Sequence, residues 1–189
     1  MKLKLISPMP PSVNHYLKHT SKGGHLHVYV TAEGKKYKSD FAAYVKSEII
    51  KQGWDFPINK YQHFYVDMVF YFNRIDMDAS NYDKCLLDAI TDTQLIWVDD
   101  NVVVPRVNRI YYTKDDPYIE LEIYPVEYIG IFDNLSQLNN FEAKCMTCNR
   151  YNRNCSIFAR ACLGFVQEDI VNNKCAKYRE MKKKKNKRS

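Results

Sequence analysis

The sequence predicts an α+β fold, a mixed sheet with two helices in the order β-α-β-α-β-β over residues 1–126. One observation is the run of aromatic and β-branched residues at 61–72, which is typical of a buried strand. A second is the helical spacing of apolar residues between 37 and 49. A third is the change in composition to cysteine and then lysine after residue 143. We therefore expect a connector at 127–143, a Cys-rich module at 144–178 and a basic tail at 179–189.

The N-terminal elements follow from alternation, turn residues and capping. Residues 2–7 alternate as in a half-exposed strand, which the prolines from position 8 onward end. A polar loop is expected at 12–24 and a short strand at 27–31. Thr31 is then a candidate N-cap for a helix that runs to about Lys51, before Gly53.

The remaining elements place the polar residues of interest. The strand that ends near Phe72 is followed by a helix at about 81–91 and by a returning segment at 95–98. Two strands, 102–113 and 118–124, are joined by the turn 114–117. The chain order therefore brings Asp76 and Asp78 to the end of one strand and Asp100 to the start of another.

Charge is unevenly distributed along the chain. The formal net charge is +6, and residues 177–189 hold eight Lys or Arg against Glu180, so the other 176 residues carry a balance of −1. The start lacks the apolar core of a signal peptide, and no apolar run is long enough to cross a bilayer. We expect a soluble, cytoplasmic and nucleoid-associated protein whose thiols stay reduced.

Three aspartates flank a short helix that carries a lysine: Asp76, Asp78 and Asp100 around Lys84. Carboxylates gathered at strand ends repel one another unless a cation lies between them, and oxygen ligands favour Mg²⁺ or Mn²⁺. The pattern therefore indicates a metal-dependent phosphoryl-transfer site. The alternative is that these are solvated loop aspartates, with Lys84 paired to Asp88 four residues later.

A basic segment precedes the first long helix and continues into it. It contains Lys18, Lys22, Lys35, Lys36 and Lys38 against Glu33 alone. Lysines that flank aromatic residues are suited to phosphate contacts along DNA, although a solvated surface has the same composition. The run 182–188 is expected to bind nucleic acid without sequence preference, or only to aid solubility.

Five cysteines fall within 31 residues near the C-terminus. A Cys-x-x-Cys pair with two further thiolates can complete a tetrahedral Zn²⁺ site. The favoured ligands of the expected structural Zn²⁺ are Cys145, Cys148, Cys155 and Cys175. An iron–sulfur cluster, or Cys162 in place of Cys155, are the alternatives.

Four sequence blocks resemble the RusA-type Holliday junction resolvases. They are residues 8–16, 30–37, 76–89 and 97–100, in the order found in that family. The resemblance covers residues 1–126 and leaves the Cys-rich segment outside.

The resemblance implies a RusA-like fold and a Mg²⁺-dependent endonuclease, with Mn²⁺ as a substitute, of a type common in phages and prophages. Such an enzyme works as a homodimer on branched DNA and nicks two opposing strands of a four-way junction. It implies Lys84, Asn81 and Asp100 as motif residues. An ungapped match places the two earlier motif aspartates at Asp78 and Ser80, whereas an insertion of residues 79–80 places them at Asp76 and Asp78.

Two further residues join the lysines as expected DNA contacts: Asn14, in the first block, and Arg74, just before the third. The altered motif leaves a rival interpretation, a non-catalytic DNA-binding protein that keeps the resolvase fold. A Mg²⁺ phosphohydrolase for small esters is a third, but small substrates do not require the basic segment and tail.

Overall fold

The computed structural model describes residues 1–57 and 62–181. These residues separate into two compact units, the first Met1–Pro125 and the second beginning at Val126. The first unit contains β1 (Leu3–Pro8), α1 (Val13–Tyr16), β2 (Leu17–Lys22), β3 (His25–Val30), α2 (Ala32–Lys51), β4 (Phe64–Phe72), α3 (Asp83–Thr91), β5 (Val103–Tyr112) and β6 (Tyr118–Pro125). Single 3₁₀ turns at Ala79–Asn81 and Asp100–Val102 lie on either side of α3 in sequence. The second unit contains α4 (Leu135–Met146), α5 (Ile157–Cys162), β7 (Ile170–Val171) and β8 (Lys174–Cys175).

The main sheet is mixed, with strand order β1-β6-β4-β5. The central strand β4 pairs in parallel with β5 and antiparallel with β6, and β6 pairs antiparallel with β1. Every second residue of β4 is buried, from Phe64 to Phe72. Apolar residues of α2 and α3, including Phe41, Val45 and Leu86, join these in one core. The predicted α+β class with a mixed sheet is confirmed.

Helix α2 forms as its sequence predicts. The Thr31 side chain accepts a hydrogen bond from the Gly34 amide, which satisfies one of the free donors of the first turn. Gly53, at φ +63°, follows the last turn in a left-handed conformation that a glycine adopts without strain.

The predicted polar loop at 12–24 is wrong. The segment forms α1 and then β2, which pairs with β3 in a separate two-stranded hairpin. Gly23 and Gly24 both have positive φ, at 60° and 79°, as a tight two-residue hairpin turn requires. That glycine pair is the sequence signal for the hairpin, whereas the polar residues of β2 conceal its strand character.

The returning segment at 95–98 forms no helix or strand. Ile96 and Trp97 pack into the core, and Trp97 Nε1 donates to Thr91 Oγ1 at 2.7 Å. The predicted connector at 127–143 contains most of α4, whose cap Asn134 accepts from the Gln137 amide. Core residues recur at helical spacing at Leu138, Phe141 and Cys145. The polar residues between them make this spacing hard to recognise in the sequence.

The second unit has its own small core, in which Phe132, Phe141 and Ala161 are buried. Gly130 lies so close to α5 that a Cβ atom there would be 2.0 Å from the Ala161 carbonyl oxygen, so a side chain cannot be accommodated. In the described part of the chain, no helix combines the length and the apolar character that a membrane crossing needs.

Candidate active site

The aspartates and the lysine of interest belong to α3 and its two neighbouring 3₁₀ turns. Asp78 caps the first turn, where its Oδ1 accepts from the Ser80 amide at 3.0 Å. Asp99 caps the second turn in the same way, through the Asn101 amide at 3.0 Å, and Asp100 is the first residue of that turn. Both turns contact α3. The tertiary structure therefore brings the regions of Asp78 and Asp100 to one helix.

Asp76 does not share the surroundings of Asp78. It lies in a turn after β4, its side chain is 75% exposed, and its Oδ1 is 3.3 Å from Arg74 Nε. Asp78 is on extended backbone, at φ −106° and ψ 121°. The two aspartates therefore both follow the end of β4, but one lies in a turn and the other on extended backbone. Arg74, expected to contact DNA, forms an ion pair with Asp76 while remaining 68% exposed.

Asp83 is an acidic neighbour that the sequence interpretation did not select. It lies in the first turn of α3, beside Lys84. Burial raises the pKa of Asp83, and the Asp78 charge raises it further, although backbone amides and the Lys84 charge oppose this effect. Asp78 and Asp83 are therefore within electrostatic reach of one another. The sequence feature that could have drawn attention to Asp83 is its position directly before Lys84.

The Lys84 side chain is partly exposed to water and pairs with a carboxylate on the same helix. Its side chain is 49% exposed, and Nζ donates to Asp88 Oδ1 at 3.2 Å. The other carboxylate oxygen of Asp88 accepts from the Tyr16 hydroxyl at 2.6 Å. Tyr16 is 72 positions away in sequence and is 1% exposed. No sequence pattern relates the two, so Tyr16 was missed.

Carboxylate oxygens have the donor chemistry that Mg²⁺ prefers, and Asp76, Asp78 and Asp100 supply it. In residues 1–57 and 62–181, however, no group of three His, Cys, Asp or Glu side chains is placed to hold a metal ion. The turns of Asp78 and Asp100 both contact α3, but within these residues their carboxylates do not form a metal-holding group.

The residues expected to contact DNA are divided among three elements. Asn14 is exposed on α1, and Lys18 is exposed on β2. Lys35, Lys36 and Lys38 lie on α2, where Lys36 pairs with Asp40 and Lys38 Nζ is 2.9 Å from Asp92. The Lys22 side chain and the basic run 182–188 lie outside the described residues.

The four favoured cysteines of the second unit line one cavity of about 100 Å³. Burial raises the pKa of Cys145 to about 11, and the neighbouring Cys175, Cys148 and Cys155 add to this effect. Cys162 is not among the residues that line this cavity. All six cysteines of the chain are free thiols. In the described residues, however, these thiols do not form a metal-holding group, so the structure does not show the predicted Zn²⁺.

Comparison with known proteins identifies related sequences for the first unit. The model of the family described as Endodeoxyribonuclease RusA matches residues 8–124. The chain is 32% identical over 108 residues to Crossover junction endodeoxyribonuclease RusA of Escherichia coli O139:H28 (strain E24377A / ETEC). The aligned region covers 57% of this chain and 82% of that relative. The protein of that name from Escherichia coli (strain K12) has the same identity and coverage. The corresponding protein of Enterobacteria phage 82 is 31% identical over 108 residues, with 57% and 82% covered.

Proposed function

Because the chain belongs to the RusA family and is therefore an endodeoxyribonuclease, we propose that it resolves four-way DNA junctions by paired, symmetric, Mg²⁺-dependent nicks. The observation that carries the proposal is the arrangement around α3. Asp78 and Asp100 lie on two turns that both contact the helix, and Lys84 lies on the helix itself. Metal-dependent hydrolysis of phosphodiesters uses carboxylates that hold the metal ion, and a nearby cationic side chain can stabilise the charge that develops.

In the proposed mechanism, the carboxylates of Asp78 and Asp100 would hold Mg²⁺, with Asp76 as a further ligand. The ion would polarise the scissile phosphate and lower the pKa of the attacking water. Lys84 offsets the negative charge that develops on the phosphate oxygens in the transition state.

DNA contact is proposed for the exposed polar residues of the first unit. Asn14, Lys18 and Lys35 are exposed, and Arg74 is mostly so. The cations among them can replace counterions along the DNA backbone. Lys36 and Lys38 already have carboxylate partners, so a phosphate would have to compete with Asp40 and Asp92.

We also propose that the active form is a homodimer. A four-way junction has twofold symmetry, and two identical sites related by a twofold axis would cut opposing strands symmetrically. Sedimentation of the protein with and without junction DNA would test this. A monomer that makes paired nicks would contradict it.

The test of the proposed activity uses a synthetic four-way junction with Mg²⁺. We expect the parent protein to introduce symmetric nicks, and Asp78→Asn and Asp100→Asn to bind the junction without nicking it. Asp116→Asn is the matched control, because Asp116 is an exposed aspartate of the β5–β6 turn. Nicking that persists in both site variants would contradict the assignment of the site.

A second candidate function is junction binding without cleavage. It is favoured by Ser80, which takes a motif position in the ungapped match, and by the ion pair that occupies Asp76. Binding by the parent protein without any nick in Mg²⁺ or Mn²⁺ would support this candidate. Junction affinity that falls steeply with salt would exclude a phosphohydrolase for small esters.

For the second unit we propose one structural Zn²⁺ at Cys145, Cys148, Cys155 and Cys175. In its support, the four thiols line one cavity, and the described core of this unit is too small to be expected to fold unaided. Metal analysis of protein purified without added zinc should find one equivalent, lost in Cys148→Ser and retained in the control Cys162→Ser. Metal-free, folded parent protein would overturn this proposal.

A further inference from the structure

A hydrogen-bonded chain connects the buried ring of Tyr16 to the exposed amino group of Lys84. Tyr16 donates to one oxygen of Asp88 at 2.6 Å, and Lys84 donates to the other at 3.2 Å. Asp88 is itself largely shielded, with 21% of its side chain exposed. Since both oxygens have a donor, rotation of the carboxylate about its Cβ–Cγ bond would break two hydrogen bonds.

The Lys84–Asp88 pair is too weak to fix the lysine by itself. The lysine precedes the acid by four residues, which is the less favourable order on a helix. A partly exposed pair of this kind contributes little, and a long lysine side chain loses rotamer freedom when it is held. A third group that fixes the carboxylate is therefore needed if Lys84 is to keep one position.

Tyr16 can provide this fixed point because it is itself immobilised. Its side chain is 1% exposed, and Gly34 packs against it so closely that a Cβ atom on Gly34 would be 2.6 Å from Tyr16 Cδ2. Its carbonyl oxygen accepts from the Thr31 amide at 3.0 Å. Burial and the Asp88 charge raise the pKa of Tyr16, so its hydroxyl remains a donor.

Asp88 is a carboxylate, although a neutral acceptor would be enough to pair with Tyr16. An amide or hydroxyl acceptor would satisfy the Tyr16 hydroxyl, whereas a carboxylate is suited to accept from a phenol and to hold a cation at the same time. Asp88 lies one helical turn from Lys84, so the cation it holds is the one assigned to the scissile phosphate.

We propose that Tyr16 and Asp88 are positioning residues, which hold the Lys84 ammonium group in one place for the phosphate. This inference rests on the proposed role of Lys84 in junction cleavage. Pre-organisation of a charge before the transition state avoids the cost of ordering it during the reaction. Loss of the Tyr16 hydroxyl should therefore slow the chemical step more than it weakens DNA binding.

The first test needs no substrate. Nuclear magnetic resonance relaxation of the Lys84 Nζ and Cε atoms in the full-length protein should show greater mobility in Tyr16→Phe and in Asp88→Asn than in the parent. Tyr37→Phe is the matched control: it also loses a shielded tyrosine hydroxyl, which pairs with Ser7 Oγ at 2.6 Å and not with the lysine. Unchanged order of Lys84 in Tyr16→Phe would overturn the proposal.

The second test compares the steady-state nicking of a four-way junction. We expect Tyr16→Phe to lower kcat by roughly tenfold with KM unchanged, and Tyr37→Phe to change neither. Equal kcat values for Tyr16→Phe and the parent would overturn the proposal, as would a loss confined to KM. A parent protein that nicks no junction would refute the proposed function instead, and the relaxation measurement would then decide alone whether Tyr16 and Asp88 order Lys84.

Discussion

At the scale of single residues, two aspartates only two positions apart have different environments. Asp76 is exposed in a turn and paired with Arg74, whereas Asp78 uses one oxygen to cap a 3₁₀ turn that contacts α3. A carboxylate that caps a turn is held in one orientation by the hydrogen bond it accepts, whereas an exposed carboxylate is free to move with its turn. Asp78 is therefore the better placed of the two to bind a cation.

This difference predicts unequal effects of the same substitution. Asp78→Asn should reduce junction nicking at least roughly a hundredfold, and Asp76→Asn by no more than roughly tenfold, because a peripheral ligand contributes less to charge stabilisation. Initial rates at saturating Mg²⁺ would measure both. Equal losses would show that the two aspartates hold the ion together.

Asp67 provides a prediction about acid stability. Burial favours its neutral form, but hydrogen bonds from Arg106 at 2.6 Å and Tyr124 at 2.8 Å outweigh this, and the pKa of Asp67 lies below its usual value. An acid with a lower pKa in the folded state stabilises the fold above its unfolded pKa of about 4, and this contribution is lost as the pH falls further.

Asp67→Asn should therefore lower the free energy of unfolding at pH 7 by about 1 kcal/mol. The difference from the parent should shrink below about pH 4, where the parent loses the same contribution. Urea unfolding at both pH values would measure this, with Asp116→Asn as the exposed control. A difference that stays constant with pH would contradict it.

At the scale of elements, the β2–β3 hairpin has two unlike faces. Directly opposed residues share a face, so Lys18 lies beside Tyr29, and Thr20 lies beside His27. The alternate face has Leu26 and Val28, which are 70% and 54% exposed. A basic and aromatic face on a hairpin outside the main sheet is suited to follow a DNA backbone.

Removal of charge from this face should weaken DNA binding without affecting the fold. Lys18→Ala should lower junction affinity and reduce the slope of log affinity against log salt by about 0.9 for one lost phosphate contact. Lys46→Ala, an exposed lysine of α2, is the control for net charge. Equal slopes for both variants would exclude a specific contact by the hairpin.

At the scale of the whole molecule, the chain has two separate cores. Every residue of the larger buried cluster lies between Leu3 and Ile123, and the smaller cluster centres on Phe132, Phe141 and Ala161. The family match ends at residue 124, before the second unit begins. The residues assigned to cleavage therefore belong to a unit that has a core of its own.

A chain of residues 1–125 should consequently fold and unfold in one cooperative transition. It should keep Mg²⁺-dependent nicking, with lower affinity at physiological salt because the basic end of the chain is removed. Circular dichroism and junction cleavage would measure these properties. A truncated chain that is unfolded would show that the first core is insufficient alone.

The sequence by itself determined the elements whose signals are local, and the family blocks. Periodicity and capping predicted α2 from Thr31, the alternating buried strand β4, and the short helix that carries Lys84. The hairpin of residues 17–30 also has a local signal, the glycine pair of its turn, which the polar residues of β2 conceal. The tertiary structure alone decided that Tyr16 reaches Asp88. The physical reason is distance along the chain. Periodicity and caps depend on neighbours within a few residues, whereas a hydrogen bond across 72 residues depends on how the finished elements pack.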